Sequence, residues 1–404
     1  KTELDLNNAE RALCVKHAGA ARYAYNWGLA RKQAAYKAGQ KTPSAIDLHR
    51  ELNRLKKREL AWMYEVSKWA PQEALRNLDQ AFSSYFRRAK ARKAGRLSGP
   101  VGFPRFKSKK QGIGSFRLVN PIRVFERHIQ LPRLGKLRLK ERGYLPQEGA
   151  RISSATVSEQ AGRWYVAVQV EMEVPDPLPA GKPVVGVDLG LMTLATVSDG
   201  TEIPNPKALR SALAKVKRLQ RMVSRRVKGS ANRKKAVRRL ARAHQRVENI
   251  RKNALHQATT WLTKTKSAIG LEDLNVSGLL KNYRLAAAIS DASWGEFRRQ
   301  LEYKGQWYGC RVVLADRFFP SSKRHSICGH IYAGLQLSER KWICPRCGAL
   351  VLRDLNAALN LEQVAKTTVS GTGSDACGED VRPGIPAVLD EAGTERPLSG
   401  PGPG

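Results

Sequence analysis

The chain of 404 residues carries 72 Lys and Arg against 35 Asp and Glu, a formal net charge of +37, with 42% hydrophobic residues. Length and apolar content allow two or three domains with buried cores, and self-repulsion on this scale calls for a nucleic-acid partner. With no apolar run near the ~18 residues of a membrane span, no basic-then-apolar segment in the given sequence and six cysteines, too few for a disulfide scaffold, neither membrane insertion nor secretion is expected, and a reducing cytoplasm is.

Residues 2–6 alternate as a strand, and from Asn8 to about Ala91 the apolar spacing is helical. Leu13, His17, Ala20, Ala21, Tyr25 and Leu29 recur every three or four residues and form a face for a second helix. Tyr23, Tyr25, Asn26 and, later, Gln72 set aromatic and amide groups among basic ones. Two readings fit them: helix core, or contact with bases, because aromatics stack and Asn and Gln pair with adenine in the major groove. From about Gly99 to Val174 short strands alternate with turn residues, most clearly from Trp164 to Val174, and a small antiparallel barrel is expected. Within it Arg105, Lys107, Lys109 and Lys110 interleave with Phe103 and Phe106, either a segment that follows a phosphate backbone or a solvated loop.

Four prolines between Pro175 and Pro183 mark a linker. Val184 to Gly190 then reads as an apolar strand closing on Asp188, and Thr193 to Ser198 as a second strand ended by Asp199-Gly200. Between Lys207 and Lys252 stand eighteen Lys or Arg and one acid. Leu209, Leu213, Val216, Leu219 and Val223, then Val237, Leu240, Val247 and Ile250, flank Gly229-Ser230, so a helical hairpin with a narrow buried seam is expected. Arg225, Arg226, Arg233, Lys234 and Arg238 are its candidate nucleic-acid contacts, since such a charge excess needs an anion close by. From Thr367 to Gly404 the composition of Gly, Ser, Pro and acid predicts no fixed structure.

Three acids sit at or just after apolar runs: Asp188, Glu272 in Ala268-Ile-Gly-Leu-Glu272, and Asp354 in Val351-Leu-Arg-Asp354. A carboxylate there is costly unless it meets a cation. Singly, each is explained by a turn or a helix cap. Together they can hold two divalent cations roughly 3.5–4 Å apart, one activating water and one stabilising the leaving oxygen of a phosphodiester. Farther on, His325-Ser-Ile-Cys328 and Cys344-Pro-Arg-Cys347, each followed by glycine, form the two knuckles of a closed, structural zinc ribbon. His330 is a competing ligand, and Cys14, Cys310 and Cys377 stand isolated.

These residues, in this order, resemble the TnpB family of transposon-encoded RNA-guided nucleases, the group related to the small type V CRISPR effectors. The likeness covers nearly the whole chain and includes Ala21-Arg-Tyr-Ala-Tyr-Asn-Trp-Gly28, Gly102-Phe-Pro-Arg-Phe-Lys107, Ser115-Phe-Arg117, Phe319-Pro-Ser-Ser-Lys323 and Ala376-Cys-Gly-Glu379. It implies a multidomain α+β chain: a first barrel strand in 1–8, a helical recognition lobe in 9–98 and a wedge barrel in 99–180. An RNase H-like RuvC nuclease domain would follow in 181–318, with the basic hairpin at 206–268, a zinc ribbon at 319–350, the end of RuvC at 351–366 and an unordered tail at 367–404. The resemblance further implies that Asp188, Glu272 and Asp354 hold two Mg2+ or Mn2+, and that His325, Cys328, Cys344 and Cys347 hold one Zn2+. Its implied partners are a guide RNA and double-stranded target DNA marked by a short flanking motif, with a monomer or a dimer on each guide RNA, in the cytoplasm at the nucleoid.

Two positions depart from the family pattern. His325 stands where the family usually has Cys, a change that imidazole tolerates as a zinc ligand. Leu352 stands two residues before Asp354, where the family usually has an acid, and is expected to weaken or retune cleavage. No second nuclease motif is present, so one site would cut both strands in turn. The expected activity is metal-dependent, RNA-guided DNA cleavage. The alternatives are a guided DNA binder with weak or no double-strand cleavage, acting as a repressor, and an unguided RNase H-like strand transferase or resolvase, which would need no large helical lobe.

Overall fold

A computed structural model of the chain describes residues 1–97, 99–109, 112–147, 149–177, 181–336 and 338–371, with the backbone of Ala387–Leu389 and Glu395–Pro397. It divides into two units, Lys1–Pro175 with Leu219–Arg242, and Asp176–Arg218 with Ala243–Gly404. Lys110, Cys377 and the 376–379 segment lie outside the described residues.

The first unit begins with β1 (Thr2–Asp5) and turns into α1 (Asn8–Lys37) through a capping box. Glu10 N donates to Asn7 Oδ1 at 2.9 Å and Asn7 N to Glu10 Oε2 at 2.8 Å, satisfying two of the donors a helix start leaves over. A second capping box, Ser44 with Asp47, starts α2 (Ala45–Lys56). A 3-10 turn (Ala61–Glu65) precedes α3 (Trp69–Lys93). Leu29, Leu48, Leu75 and Leu78 fill the space between these helices and are fully buried. Helix α1 can come this close because of Gly28, where a Cβ would meet Leu75 Cδ2 at 2.7 Å.

Six further strands follow: β2 (Ser115–Val119), β3 (Arg123–Val124), β4 (His128–Leu131), β5 (Gly135–Leu139), β6 (Arg151–Gln160) and β7 (Arg163–Glu171). With β1 they make one antiparallel sheet in the order β2-β6-β7-β1-β5-β4-β3. The opening strand thus lies in the middle of the sheet and the helices are an insertion after it. Trp164 and Val166 point inward as expected, but the alternation stops where β7 stops, leaving Met172 and Val174 exposed.

The second unit opens with β8 (Val184–Leu189), β9 (Thr193–Val197) and β10 (Glu202–Pro204). Two helices, α4 (Ala208–Ser224) and α5 (Ala231–Thr265), form the basic hairpin, whose outer part, Leu219–Arg242, falls in the first unit. After it come β11 (Ala268–Glu272), α6 (Val276–Leu279), α7 (Ala286–Ala292), α8 (Trp294–Tyr308), β12 (Arg311–Ala315), β13 (Lys341–Ile343), β14 (Leu350–Leu352) and α9 (Arg353–Val369). The sheet order is β10-β9-β8-β11-β12, an antiparallel meander joined to three parallel strands. Ala268, Ile269, Gly270 and Leu271 are all buried, as in a parallel strand covered on both faces.

Two expectations shift. Val216, Leu219 and Val247 of the hairpin stripe are buried, but Leu213, Val237 and Ile250 are exposed, because one helix facing one partner buries only a thin strip of its surface. The tail was expected without structure from Thr367, yet α9 continues to Val369. Two short strands, β15 (Ala387–Leu389) and β16 (Glu395–Pro397), pair antiparallel beyond it. The remaining tail residues from 372 on lie outside the described residues.

Candidate functional site

In the parallel register Gly270 stands opposite Gly186, and two residues later on each strand come Glu272 and Asp188. The glycines decide what can lie above them. A Cβ on Gly186 would sit 1.9 Å from Ala358 O, and one on Gly270 would sit 2.1 Å from Leu361 O. Only bare backbone lets α9 rest directly on β8 and β11. That seating sets the first turn of α9, with Asp354, near the strand ends, so Glu272 and Asp354, far from Asp188 in sequence, both act on its carboxyl. Burial pushes the Asp188 carboxyl up to about 8, and Glu272 and then Asp354 push it the same way, against Arg353 and Arg340. Three hard oxygen donors whose mutual repulsion a cation would relieve are a fitting set for Mg2+ or Mn2+.

The surroundings select and hold these acids. Ser321 Oγ donates to Glu272 Oε1. Asn356 and Asn360, one turn apart on α9, hold the segment that carries Ser321: Asn360 Nδ2 donates to Ser321 O at 2.8 Å, Asn356 Nδ2 to Arg324 O at 2.7 Å, and Ser326 N to Asn356 Oδ1 at 2.8 Å. Asp273, the neighbour of Glu272, is engaged elsewhere. Arg317 and Arg298 reach it at 2.6 and 2.7 Å and hold its carboxyl below the usual range. Asp354 Oδ1 accepts from Arg340 at 3.1 Å.

A second cluster lies in the loops around β13 and β14. One donor atom each from His325, Cys328, Cys344 and Cys347 falls within 4.8 Å of the other three. His325 Nδ1 is 3.1 Å from Cys328 Sγ and 3.4 Å from Cys347 Sγ, and the Cys328 and Cys344 sulfurs are 3.5 Å apart. A tetrahedron with Zn–S near ~2.3 Å and Zn–N near ~2.0 Å has edges of this size. For Cys344, burial raises the thiol but is outweighed by the Cys347 and Arg346 backbone N–H groups, leaving it below its ordinary value, while at Cys347 the Ala349 backbone N–H is outweighed by burial and the neighbouring sulfurs of Cys344 and Cys328, which push that thiol up. His330 contributes a backbone carbonyl to His325 N at 2.8 Å and is not one of the four.

A protein of Streptomyces pristinaespiralis named "Putative RNA-guided DNA endonuclease" is 40% identical over 369 residues, 90% of this chain and 87% of that one. The chain belongs to the TnpB family. A second relative, named in the same way, InsQ of Escherichia coli K12, is 33% identical over 92% of this chain and 91% of its own length. Family descriptions match in three places: "Probable transposase" over residues 167–283, "Cas12f1-like, TNB domain" over 294–361 and "Helix-turn-helix domain" over 1–41. Within residues 1–41 the structure holds β1 and one unbroken helix, α1. A solved Cas12f1–sgRNA–target DNA complex matches 88% of this chain and 94% of its own at 15% identity, with a TM-score of 0.34, too low to argue shape from.

For the nucleic-acid candidates of this TnpB chain the structure sorts surface from scaffold. Tyr25 is 6% exposed, and Asn26 uses both ends of its amide on the backbone of Lys107, at 2.9 and 2.8 Å. Of the two readings, Tyr25 takes the helix-core one, and the Asn26 amide is engaged by the Lys107 backbone. Arg233, a candidate nucleic-acid contact, donates from Nη1 to Val223 O at 2.8 Å and Arg226 O at 3.0 Å, covering carbonyls that the end of α4 leaves open. Tyr23 remains exposed, edge-on to Trp62, and Gln72 is half-buried. Arg105, Lys107, Lys109, Arg225, Arg226, Lys234 and Arg238 are exposed. Sequence reasoning missed Ser321, Arg340, Asn356 and Asn360. The repeated Gly-x-acid of Gly186-Val-Asp188 and Gly270-Leu-Glu272 was the available signal.

Proposed function

We propose that this chain is an RNA-guided DNA endonuclease that hydrolyses phosphodiesters at the Asp188, Glu272 and Asp354 cluster. The five-stranded unit acts as an RNase H-like RuvC domain interrupted by a zinc ribbon, with α1–α3 as the recognition lobe and the seven-stranded sheet as the wedge barrel. The carrying observation is placement: Asp188 and Glu272 end the paired strands β8 and β11, and α9, seated on Gly186 and Gly270, carries Asp354 in its first turn beside them.

Divalent cations held there would supply an activated water and a counter-charge for the leaving oxygen. The chain's own part is positioning. Gly186 and Gly270 seat α9, Ser321 fixes the rotamer of Glu272, and the arginines on Asp273 keep that acid from competing. His325, Cys328, Cys344 and Cys347 would hold one zinc, and four protein ligands would give it a structural role. Sequence choice falls to guide pairing, while exposed Lys and Arg neutralise backbone phosphate.

The test is Asp354→Ala in protein purified with its RNA. Plasmid cleavage is expected to vanish while the shift of a matched duplex on a gel persists, because binding draws on pairing and backbone contacts elsewhere. A wild-type cleavage rate would overturn the assignment. Loss of binding along with cleavage would also overturn it, since the acids would then be structural.

A further inference from the structure

Between Asp79 and Glu126 the chain has no acid and twelve Lys or Arg. This stretch covers the end of α3 and the segment leading to β2, all within the first unit. Arg87, Arg88, Lys90 and Arg105 are exposed, and among the described residues no acid pairs with any of them.

Set into this charge is an aromatic surface that the proposed chemistry does not use. Phe86 is 61% exposed, Phe106 52% and Phe103 43%. Phe103 meets Phe82 at 5.4 Å and Tyr85 at 5.2 Å, both edge-on, and Phe86 lies 5.2 Å from Tyr85 and 6.3 Å from Phe82. Such edge contacts orient the rings while leaving area to solvent. The segment of Phe103 and Phe106 is tied to α1: Pro104 is buried, Asn26 bonds the Lys107 backbone from both sides, and Lys107 Nζ sits 4.2 Å from the Tyr25 ring centroid. Exposed phenylalanines are costly in water, and ones held in place beside unpaired cations suit a partner with both phosphate and flat apolar faces.

We propose that Phe86, Phe103 and Phe106 form a stacking platform for unpaired nucleotides of the guide RNA. Duplex DNA keeps its bases stacked inside, whereas loops and single-stranded parts of an RNA offer free base faces. This rests on the guided reading above and deepens it: the surrounding cations bind backbone, and the rings hold splayed bases.

The probe is a labelled oligouridylate of about 20 nucleotides, compared with an abasic oligomer of equal length, on full-length protein. Phe106→Ala and Phe86→Ala are each expected to weaken oligouridylate binding about 5- to 100-fold, with less than about two-fold change on the abasic oligomer. The salt dependence should not change, because no phosphate contact is removed. Phe86→Leu keeps bulk but loses the π-face, so it should show the same loss with an unchanged melting temperature. Equal losses on both oligomers, or none on either, overturn the platform. Irradiating the protein as purified should attach its RNA to peptides spanning 82–106; adducts with target DNA alone would overturn the RNA assignment. Protein that carries no RNA would sink the guided reading itself, whereas RNA-bearing protein with unaffected Phe variants sinks only the platform.

Discussion

Arg340 Nη1 donates to Asp354 Oδ1 at 3.1 Å, so one lone pair of a proposed metal ligand faces a protein cation. Both side chains are more than a third exposed, and pairs of this kind contribute at most about 1 kcal/mol. Arg340→Gln is therefore expected to tighten Mn2+ binding by up to about five-fold in the absence of DNA. A Mn2+ titration followed by electron paramagnetic resonance reads this directly. Weaker binding in the variant would mean that Arg340 orients Asp354 instead of competing for it.

The burial of Asp188, with Glu272 and Asp354 acting the same way, also has a pH signature. Its folded-state carboxyl, near 8, lies above the ordinary 3.8, so between those values the folded chain holds a proton that the unfolded chain has lost. Stability from this group is present at acid pH and falls as pH rises through about 8. In buffer without divalent cations, Asp188→Asn should melt higher than wild type at pH 8, with the gap closing toward pH 4. Adding Mg2+ should raise the melting temperature of wild type and not of the variant. A gap independent of pH would show that the charge of Asp188 is not what costs stability.

The contact of α9 with the sheet tolerates no side chain at two positions. Gly270→Ala places a methyl group against Leu361 O, and Gly186→Ala places one against Ala358 O. Forced overpacking of this kind costs about 1–3 kcal/mol. Each variant should unfold at lower temperature and lose cleavage, with RNA binding kept if the first unit is intact. Gly28→Ala serves as the comparison, since it meets side-chain tips that can move. If Gly270→Ala melts like wild type, α9 is not held as described.

Zinc content distinguishes the two histidines. Elemental analysis should return one zinc per wild-type chain, none for Cys344→Ser, and one for His330→Ala, which removes only a side chain outside the cluster. His325→Cys should keep the metal, as thiolate replaces imidazole in such sites. Zinc lost from His330→Ala would overturn the ligand set.

The elements were legible wherever periodicity or spacing was strong. The alternation of residues 2–6, the helical faces around Leu13 and Leu29, and the knuckles at His325 and Cys344 all predicted what the structure holds. Each acid could be read as ending an apolar run, but its supporting contacts could not. Ser321 reaches Glu272 with its hydroxyl, and Asn356 and Asn360 act on backbone carbonyls, all brought near only by folding, so spacing alone does not reveal these partners. Asn26 and Arg233 could not be resolved in sequence for a related reason. A polar side chain that satisfies a distant loop or a helix end looks in sequence like one that waits for a ligand. Charge predicted the class of partner, while only the fold separates cations that face solvent from those spent on the chain itself.

The seating of α9 on Gly186 and Gly270 also has a meaning in time. Asp188 leaves the ribosome roughly 160 residues before Asp354, an interval of about ten to thirty seconds at ordinary rates of synthesis. Until the helix arrives, the first two acids have no third, and a chain cut short before residue 353 lacks it for good. The nascent protein thus passes most of its synthesis with its proposed cutting site unassembled, while the aromatic and basic surfaces of its first half, the proposed RNA platform among them, are already made.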